Sequence, residues 1–164
     1  MSDHALVFEK LSKSFGTKQA LAEVSGNLPT GCVGGLVGPN GAGKTTLFSL
    51  IAGYLSPDQG KLWVGGARLR GGTSRAGLLG ILPQDALFQR GINIGRHFTW
   101  YARMAGMDQT AAEREAVRVL DAVGLRDSWG SLGDQLSHGM HKRAAIAQAL
   151  IGSPPIILHD EPTA

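Results

Sequence analysis

The spacing of apolar residues changes along the chain, from short runs in its first half to helical spacing after about residue 90. Short apolar runs bounded by turn residues predict strands at residues 5–10, 20–28, 32–37, 61–64, 78–82 and 156–158. Helices are predicted at residues 44–53, 92–105, 110–123 and 137–151. The third is the clearest, with apolar residues at helical spacing at Ala116, Val119, Leu120 and Val123.

This order of elements predicts an α/β fold. The length of 164 residues fits one compact domain and no more. We therefore expect a single domain over residues 1–164, in which residues 86–136 form a helical insertion between residues 1–85 and residues 137–164.

Composition and the length of the apolar runs add four limits. The 24 glycines, about twice the usual share, indicate tight turns and close approach of backbone to a ligand. The net charge of +3 comes without a run of basic residues, so nucleic acid is not an expected partner. The one cysteine, Cys32, is expected to be a small core residue in strand 32–37, which suits a reducing cytoplasm. No apolar run approaches the ~20 residues of a transmembrane helix, so we expect any membrane role to come through a partner.

A glycine-rich segment separates predicted strand 32–37 from predicted helix 44–53. It matches the P-loop pattern G-x-x-x-x-G-K-[ST] with Gly38, Pro39, Asn40, Gly41, Ala42, Gly43, Lys44 and Thr45. Glycines let backbone N–H groups curl around a phosphate, and the positive end of the following helix points at the same anion. Lys44 can reach the β- and γ-phosphates, and the Thr45 hydroxyl can bind Mg²⁺. The segment, extended by Thr46, therefore predicts a site for ATP and Mg²⁺.

Two carboxylates follow the last predicted strand, residues 156–158. Ligands of α/β folds bind at the carboxyl ends of strands, which is where Asp160 and Glu161 stand. We predict that Asp160 holds Mg²⁺ through water and that Glu161 polarises the attacking water. Taken alone, the pattern also fits a solvated turn, but the P-loop in the same chain favours the catalytic interpretation.

The segment Leu136-Ser137-His138-Gly139-Met140 opens the last predicted helix. The Ser137 hydroxyl and the first N–H groups of the helix would form an anion site, and Gly139 would allow a phosphate to approach closely. An ordinary N-cap explains the pattern about equally well when it is taken alone.

In this order the three motifs resemble the nucleotide-binding domain of ATP-binding cassette (ABC) transporters, over about residues 5–164. Residues 136–140 correspond to the family signature Leu-Ser-Gly-Gly-Gln, and residues 160–164 match the Walker B continuation. Gln84 falls where the family has its Q-loop glutamine, which senses Mg²⁺ and the transport partner. Phe15 falls where the family places an aromatic ring that stacks on adenine, although a core position would also suit it.

The resemblance implies a P-loop NTPase core with a mixed sheet, an N-terminal antiparallel β subdomain and an inserted helical subdomain. It implies that Lys44, Gln84 and Glu161 are catalytic and that Thr45, Gln84 and Asp160 surround Mg²⁺. Two such domains would pair head to tail, so that Ser137 and Gly139 serve the ATP bound by the partner. A separate transmembrane permease would hold the pair at the cytoplasmic face of the membrane.

Two departures from the family pattern refine this expectation. His138 and Met140 replace a glycine and the glutamine of the signature, and Met140 cannot hydrogen-bond a ribose as glutamine would. This variant resembles that of bacterial drug- and polyketide-resistance exporters, so an exporter ATPase is expected. The family domain continues beyond the position of Ala164 with a D-loop, a strand and a switch histidine, so we expect a C-terminally truncated chain with weak or no hydrolysis. The alternatives are a soluble ABC ATPase outside transport and an inactive truncated fragment.

Overall fold

The structure, a computed structural model, describes residues 4–69, 77–82 and 88–159. Contacts divide the chain into two compact units, Met1–Leu78 and Leu79–Ala164. The expected single domain over residues 1–164, with its three segments, stays a prediction.

The described residues of the first unit form four strands and one helix. They are β1 (His4–Phe15), β2 (Lys18–Pro29), α1 (Lys44–Ala52), β3 (Gln59–Val64) and β4 (Ala67–Leu69). The strands form an antiparallel sheet in the order β2-β1-β3-β4. Directly opposed residues of antiparallel strands point to the same face, so Leu6 shares a face with its partner Val64, and Leu62 shares it with Leu69. All four are buried, which makes this face the core side of the sheet.

The sequence pattern did not predict β4. The signal was Gly65-Gly66, a two-residue connection of the kind that closes a β-hairpin, since Val64 pairs directly with Ala67. The prediction of α1 is confirmed, because the helix starts at Lys44 and Gly53 ends it in the left-handed conformation.

Residues 32–37 are not a strand, and this prediction was wrong. The segment has no regular secondary structure, and Val33, Leu36 and Val37 are exposed. Cys32, expected in the core, is exposed as well. An apolar run becomes a buried strand only when other strands pair with it on both sides. Parallel pairing among the described residues joins residues 79–82 to residues 156–159 and leaves residues 32–37 out.

In the second unit, the part that the structure describes forms three helices and a pair of parallel strands. They are β5 (Leu79–Leu82), α2 (Ile94–Met104), α3 (Gln109–Ala122), α4 (His138–Ala149) and β6 (Ile156–His159). Short 3-10 turns lie at Arg126–Ser128 and Gly133–Gln135. Each of these three helices begins after a residue whose side chain caps it. The side-chain oxygens of Asn93, Asp108 and Ser137 accept a hydrogen bond from the backbone N–H of the residue three positions later.

The three helices share one hydrophobic core, in which α4 takes part although it lies outside the predicted helical insertion of residues 86–136. Its buried residues are Ile94, Phe98, Ala116, Val119, Leu120, Leu125, Ala144 and Ala147. Leu82 of β5 packs on Ala145 and Ala149, so α4 also covers the parallel strands. A Cβ at Gly80 would lie 1.9 Å from the Ala149 carbonyl oxygen, so β5 needs glycine where the end of α4 passes it. None of the helices in the described ranges combines the length and apolar character needed to cross a bilayer.

Candidate functional site

Two glycines of the P-loop motif have backbone conformations that other residues rarely adopt. Gly41 has φ 83° and Gly43 has φ 88°, both in the left-handed region. A Cβ at Gly43 would also lie 2.6 Å from the Ala20 carbonyl oxygen of β2. The loop that leads to α1 therefore requires glycine at residue 43 for two reasons. Its φ is rare for other residues, and a Cβ would be too close to β2.

Lys44 folds back over this loop. Its Nζ donates to the carbonyl oxygens of Gly38 at 2.6 Å and Pro39 at 2.9 Å. The Ala42 N–H donates to the same Pro39 oxygen at 3.2 Å, which tightens the loop. The ammonium group is therefore held at the loop, next to the start of a helix.

The N-terminus of α1 suits an anion. Gly43 at the N-cap has no side chain, and no capping hydrogen bond from a side chain is found among the described residues. The first turn, Lys44-Thr45-Thr46, carries no acidic residue. Thr45 is exposed and Thr46 is half-buried. Unsatisfied N–H groups, the helix dipole and a lysine together make a site that favours phosphate, and an exposed hydroxyl beside it is a suitable ligand for Mg²⁺. The residues present therefore fit ATP with Mg²⁺.

Phe15 is a surface residue, which decides against the core alternative. Its ring is 49% exposed at the end of β1, and the Lys13 Nζ lies 5.8 Å from the ring centroid. Phe15 pairs with Lys18 at the hairpin that leads to Ala20, the residue against which Gly43 packs. The hairpin thus carries the aromatic ring on the same strand pair that borders the loop.

An ion pair stabilises the backbone next to Phe15. The Asp58 carboxylate accepts from Lys13 Nζ at 2.7 Å and from the Ser14 N–H at 2.7 Å. The hydrogen bond from Lys13, with that from Ser14, lowers the pKa of Asp58 below its ordinary value. The sequence pattern gave no sign of this contact, because 44 positions separate Ser14 from Asp58.

Ser137 and Gly139 lie in the second unit, at the start of α4. Ser137 Oγ accepts the Met140 N–H at 3.3 Å, so the serine is an N-cap, one of the two interpretations its pattern allowed. Ser137, His138 and Gly139 are exposed, and within the described part of the chain no atom lies within 4 Å of a Cβ placed at Gly139. The start of this helix is therefore open to a partner or ligand.

Three predicted site residues, Gln84, Asp160 and Glu161, lie outside the described residues. The strands that precede them are described. β5 and β6 are parallel, with Leu82 opposite His159, so both strands end at the same edge of the sheet. Carboxyl ends of parallel strands are where α/β folds bind ligands.

The sequence pattern also missed a buried histidine. His97 on α2 is 7% exposed, and neither ring nitrogen finds a hydrogen-bond partner among the residues that the structure describes. Its ring contacts are aromatic, with Tyr101 at 4.5 Å and Phe88 at 5.2 Å between ring centroids. Burial lowers the pKa of His97, because the charged imidazolium loses its hydration.

The family profile described as ABC transporter matches residues 21–164, which include the P-loop and both later motifs. The chain belongs to the ABC transporter family. Among curated relatives, the linearmycin resistance ATP-binding protein LnrL of Bacillus subtilis is 33% identical over 94% of this chain and 50% of its own length. The taurine import ATP-binding protein TauB of Roseobacter denitrificans is 35% identical over 88% of this chain and 53% of its own length.

A solved ABC protein has the same fold. The structure of cbiO1 from Clostridium perfringens, described as part of the ABC transporter complex cbiONQ, superposes with a TM-score of 0.87. It is 27% identical, and the match covers 99% of this chain and 67% of that one. This likeness confirms the predicted α/β fold of the P-loop NTPase class with an N-terminal antiparallel sheet. The chain spans about half the length of the two curated ABC relatives.

Proposed function

We propose that this chain is the ATP-binding and ATP-hydrolysing part of an ABC transporter subunit. The observation that carries the proposal is the pose of Lys44, whose ammonium group is bound by the Gly38 and Pro39 carbonyls. It lies beside a helix start that no side chain of the described residues caps. A bound phosphate would replace these carbonyls as the hydrogen-bond partner of Lys44. The ammonium group would then pair with a full negative charge and no longer with two carbonyl dipoles. Residues 38–46 would thus bind the phosphates, and Phe15 would stack on adenine.

Mg²⁺ supplies charge neutralisation at the β- and γ-phosphates when it is bound. The Thr45 hydroxyl, Gln84 and Asp160 would hold it, the last through water. Glu161 would orient and polarise the water that attacks the γ-phosphate. The parallel pairing of β5 with β6 supports these assignments, because the strands that lead to Gln84 and Asp160 end at one edge of the sheet.

A second copy or a related domain is the proposed partner in a head-to-tail pair. The openness of the α4 start supports it, because the exposed Ser137 and Gly139 could then bind the γ-phosphate of ATP held by the partner's P-loop. A separate permease would hold the pair at the cytoplasmic face of the membrane.

Export is the direction that we propose. The name of LnrL, linearmycin resistance, and the His138 and Met140 signature variant support it. The relative TauB is named for import, so import is the competing direction. Together with a permease, the chain should raise the tolerance of cells to linearmycin, the antibiotic in the name of LnrL, and Glu161→Gln should abolish that gain. A gain that survives Glu161→Gln would contradict powered export.

Nucleotide titration of the purified chain tests the central proposal. Lys44→Ala should raise the Kd of a fluorescent ATP analogue about 10- to 100-fold, since a hydrogen bond from a charged group contributes about 1.5–3 kcal/mol. The matched control is Lys61→Ala, an exposed lysine on β3, which should leave the Kd unchanged. Equal Kd values for the wild type and Lys44→Ala would overturn the proposed site.

Phosphate release then separates binding from hydrolysis. If the chain pairs head to tail, the specific ATPase rate should rise with protein concentration, and Glu161→Gln should remove turnover while ATP still binds. Binding without turnover at any protein concentration would favour the inactive-fragment alternative.

A further inference from the structure

Phe88 links α2 and α4 with a single ring. It lies in a segment without regular secondary structure, four residues after Gln84. Its ring centroid is 5.2 Å from that of His97 on α2 and 4.8 Å from that of His141 on α4. Both distances fall in the range of favourable aromatic contacts. The ring therefore touches two helices that are far apart in sequence.

The turn that precedes α4 is also fitted to Phe88. Gly133 is buried in the 3-10 turn Gly133–Gln135, and a Cβ at this glycine would lie 2.7 Å from the Phe88 Cβ. Any larger residue at position 133 would push Phe88 or the turn aside. Phe88 thus contacts the chain four residues before Ser137, at Gly133, and four residues after it, at His141.

The backbone connects these contacts to the first turn of α4. The His141 N–H donates to the Ser137 carbonyl oxygen at 2.8 Å, and the Met140 N–H donates to Ser137 Oγ. A displacement of the His141 backbone would therefore be passed to Ser137 through this hydrogen bond. Ser137, His138 and Gly139 in the same turn are exposed, so the packing that restrains this turn comes from the side on which Phe88 lies.

His97 supports a packing role for this cluster. Its buried nitrogens are unpartnered within the described residues, which costs free energy that a leucine would not cost. The imidazole instead provides a flat ring that packs against the rings of both Phe88 and Tyr101.

We propose that Phe88 is a positioning residue for the first turn of α4, which carries Ser137 and Gly139 and is called the signature turn below. Its ring packs between His97 and His141 and thereby holds Ser137 and Gly139 in the arrangement that receives a phosphate. The phosphate in this statement rests on the proposed function, whereas the mechanical link between Phe88 and the start of α4 does not. Phe88 is proposed to act through Ser137.

Amide hydrogen exchange of the full chain tests the mechanical link. Phe88→Ala should speed exchange of the Met140 and His141 amides about tenfold relative to the amides of α3, because the opening is local. Phe88→Leu, which keeps apolar volume, should give a smaller change. The matched control is Val119→Ala, a buried residue of the same core on α3, which should speed exchange across the whole unit. If Phe88→Ala and Phe88→Leu reproduce the uniform pattern of Val119→Ala, Phe88 is an ordinary core residue and the proposal is wrong.

Steady-state ATPase kinetics test the functional consequence. Phe88→Ala should lower kcat about tenfold and leave KM for ATP unchanged, because the turn serves the paired state and not the binding of nucleotide to the P-loop. A rise in KM with unchanged kcat would contradict the positioning role. If the wild type shows no turnover, the proposed function fails, but the exchange pattern still decides whether Phe88 restrains α4.

Discussion

The P-loop and the signature turn are both helix starts that contain glycine, yet they are stabilised in different ways. At the P-loop the backbone sets the shape, with Gly43 in a left-handed conformation at the N-cap and Lys44 bound to loop carbonyls. At the signature turn a side chain, Ser137, caps the helix, and the packing of Phe88 restrains it. The first is a local device that neighbouring residues specify, and the second depends on residues about 50 positions apart. Substitutions should therefore fail differently in the two regions.

The largest expected effect is that of Gly43→Ala. A left-handed conformation costs alanine about 1–2 kcal/mol, and the Cβ would meet the Ala20 carbonyl oxygen, which adds about 1–3 kcal/mol of overpacking. We expect the loop to rearrange and the Kd for an ATP analogue to rise more than 100-fold, as a titration would measure.

Gly41→Ala is the matched control for that prediction. Gly41 has nearly the same φ, but among the described residues nothing lies within 4 Å of a Cβ placed there. It should weaken nucleotide binding about tenfold, from backbone strain alone. Equal losses for both variants would mean that the contact with β2 does not shape the loop.

A smaller effect is expected for Ser137→Ala, which removes the N-cap of α4. The loss should be about 1 kcal/mol in the free energy of unfolding, measured by urea denaturation. Ser137→Asp keeps a capping oxygen and should restore that stability. Because its charge would repel the γ-phosphate of a partner's ATP, Ser137→Asp should still lower the rate of hydrolysis. Full activity of Ser137→Asp would show that no phosphate approaches this turn.

At neutral pH the smallest effect on stability is expected for His97→Phe. The difference in stability between this variant and the wild type should grow at acidic pH. Burial holds the folded-state pKa of His97 below its ordinary value of 6.5, so the folded state favours the neutral ring. Its contribution is therefore fully present above pH 6.5 and is lost as the pH falls toward the folded-state pKa. The nearby Tyr101, whose pKa burial raises, does not titrate in this range.

Urea midpoints at pH 7 and pH 5 measure this effect. The wild type should lose more stability than His97→Phe over that interval, since phenylalanine keeps the ring contacts and cannot take up a proton. Parallel losses in both proteins would assign the acid sensitivity to other groups.

Local signals predicted the elements well. The helical spacing of Ala116, Val119 and Leu120 is confirmed by their complete burial on α3, and Gly53 ends α1 as expected. The prediction of a strand at residues 32–37 was wrong for a physical reason. Whether a strand is buried depends on the strands that pair with it and not on its own apolar run. The exposure of Phe15 was likewise undecided in the sequence, since an aromatic residue fits both a core and a surface site.

The amino-acid sequence by itself determined the helices, the P-loop with its glycines and lysine, and the family to which the chain belongs. The helices and the P-loop depend on residues close together in the chain, where propensity, backbone freedom and capping act directly, and the family follows from the order of three such local motifs. Only the tertiary structure decided that Gly43 packs on β2, that His97 is buried without a hydrogen-bond partner among the described residues, and that Phe88 joins α2 to α4. The contacts of Gly43 with Ala20 and of Phe88 with His141 bring together residues 23 and 53 positions apart, and their energies depend on packing that no local pattern records.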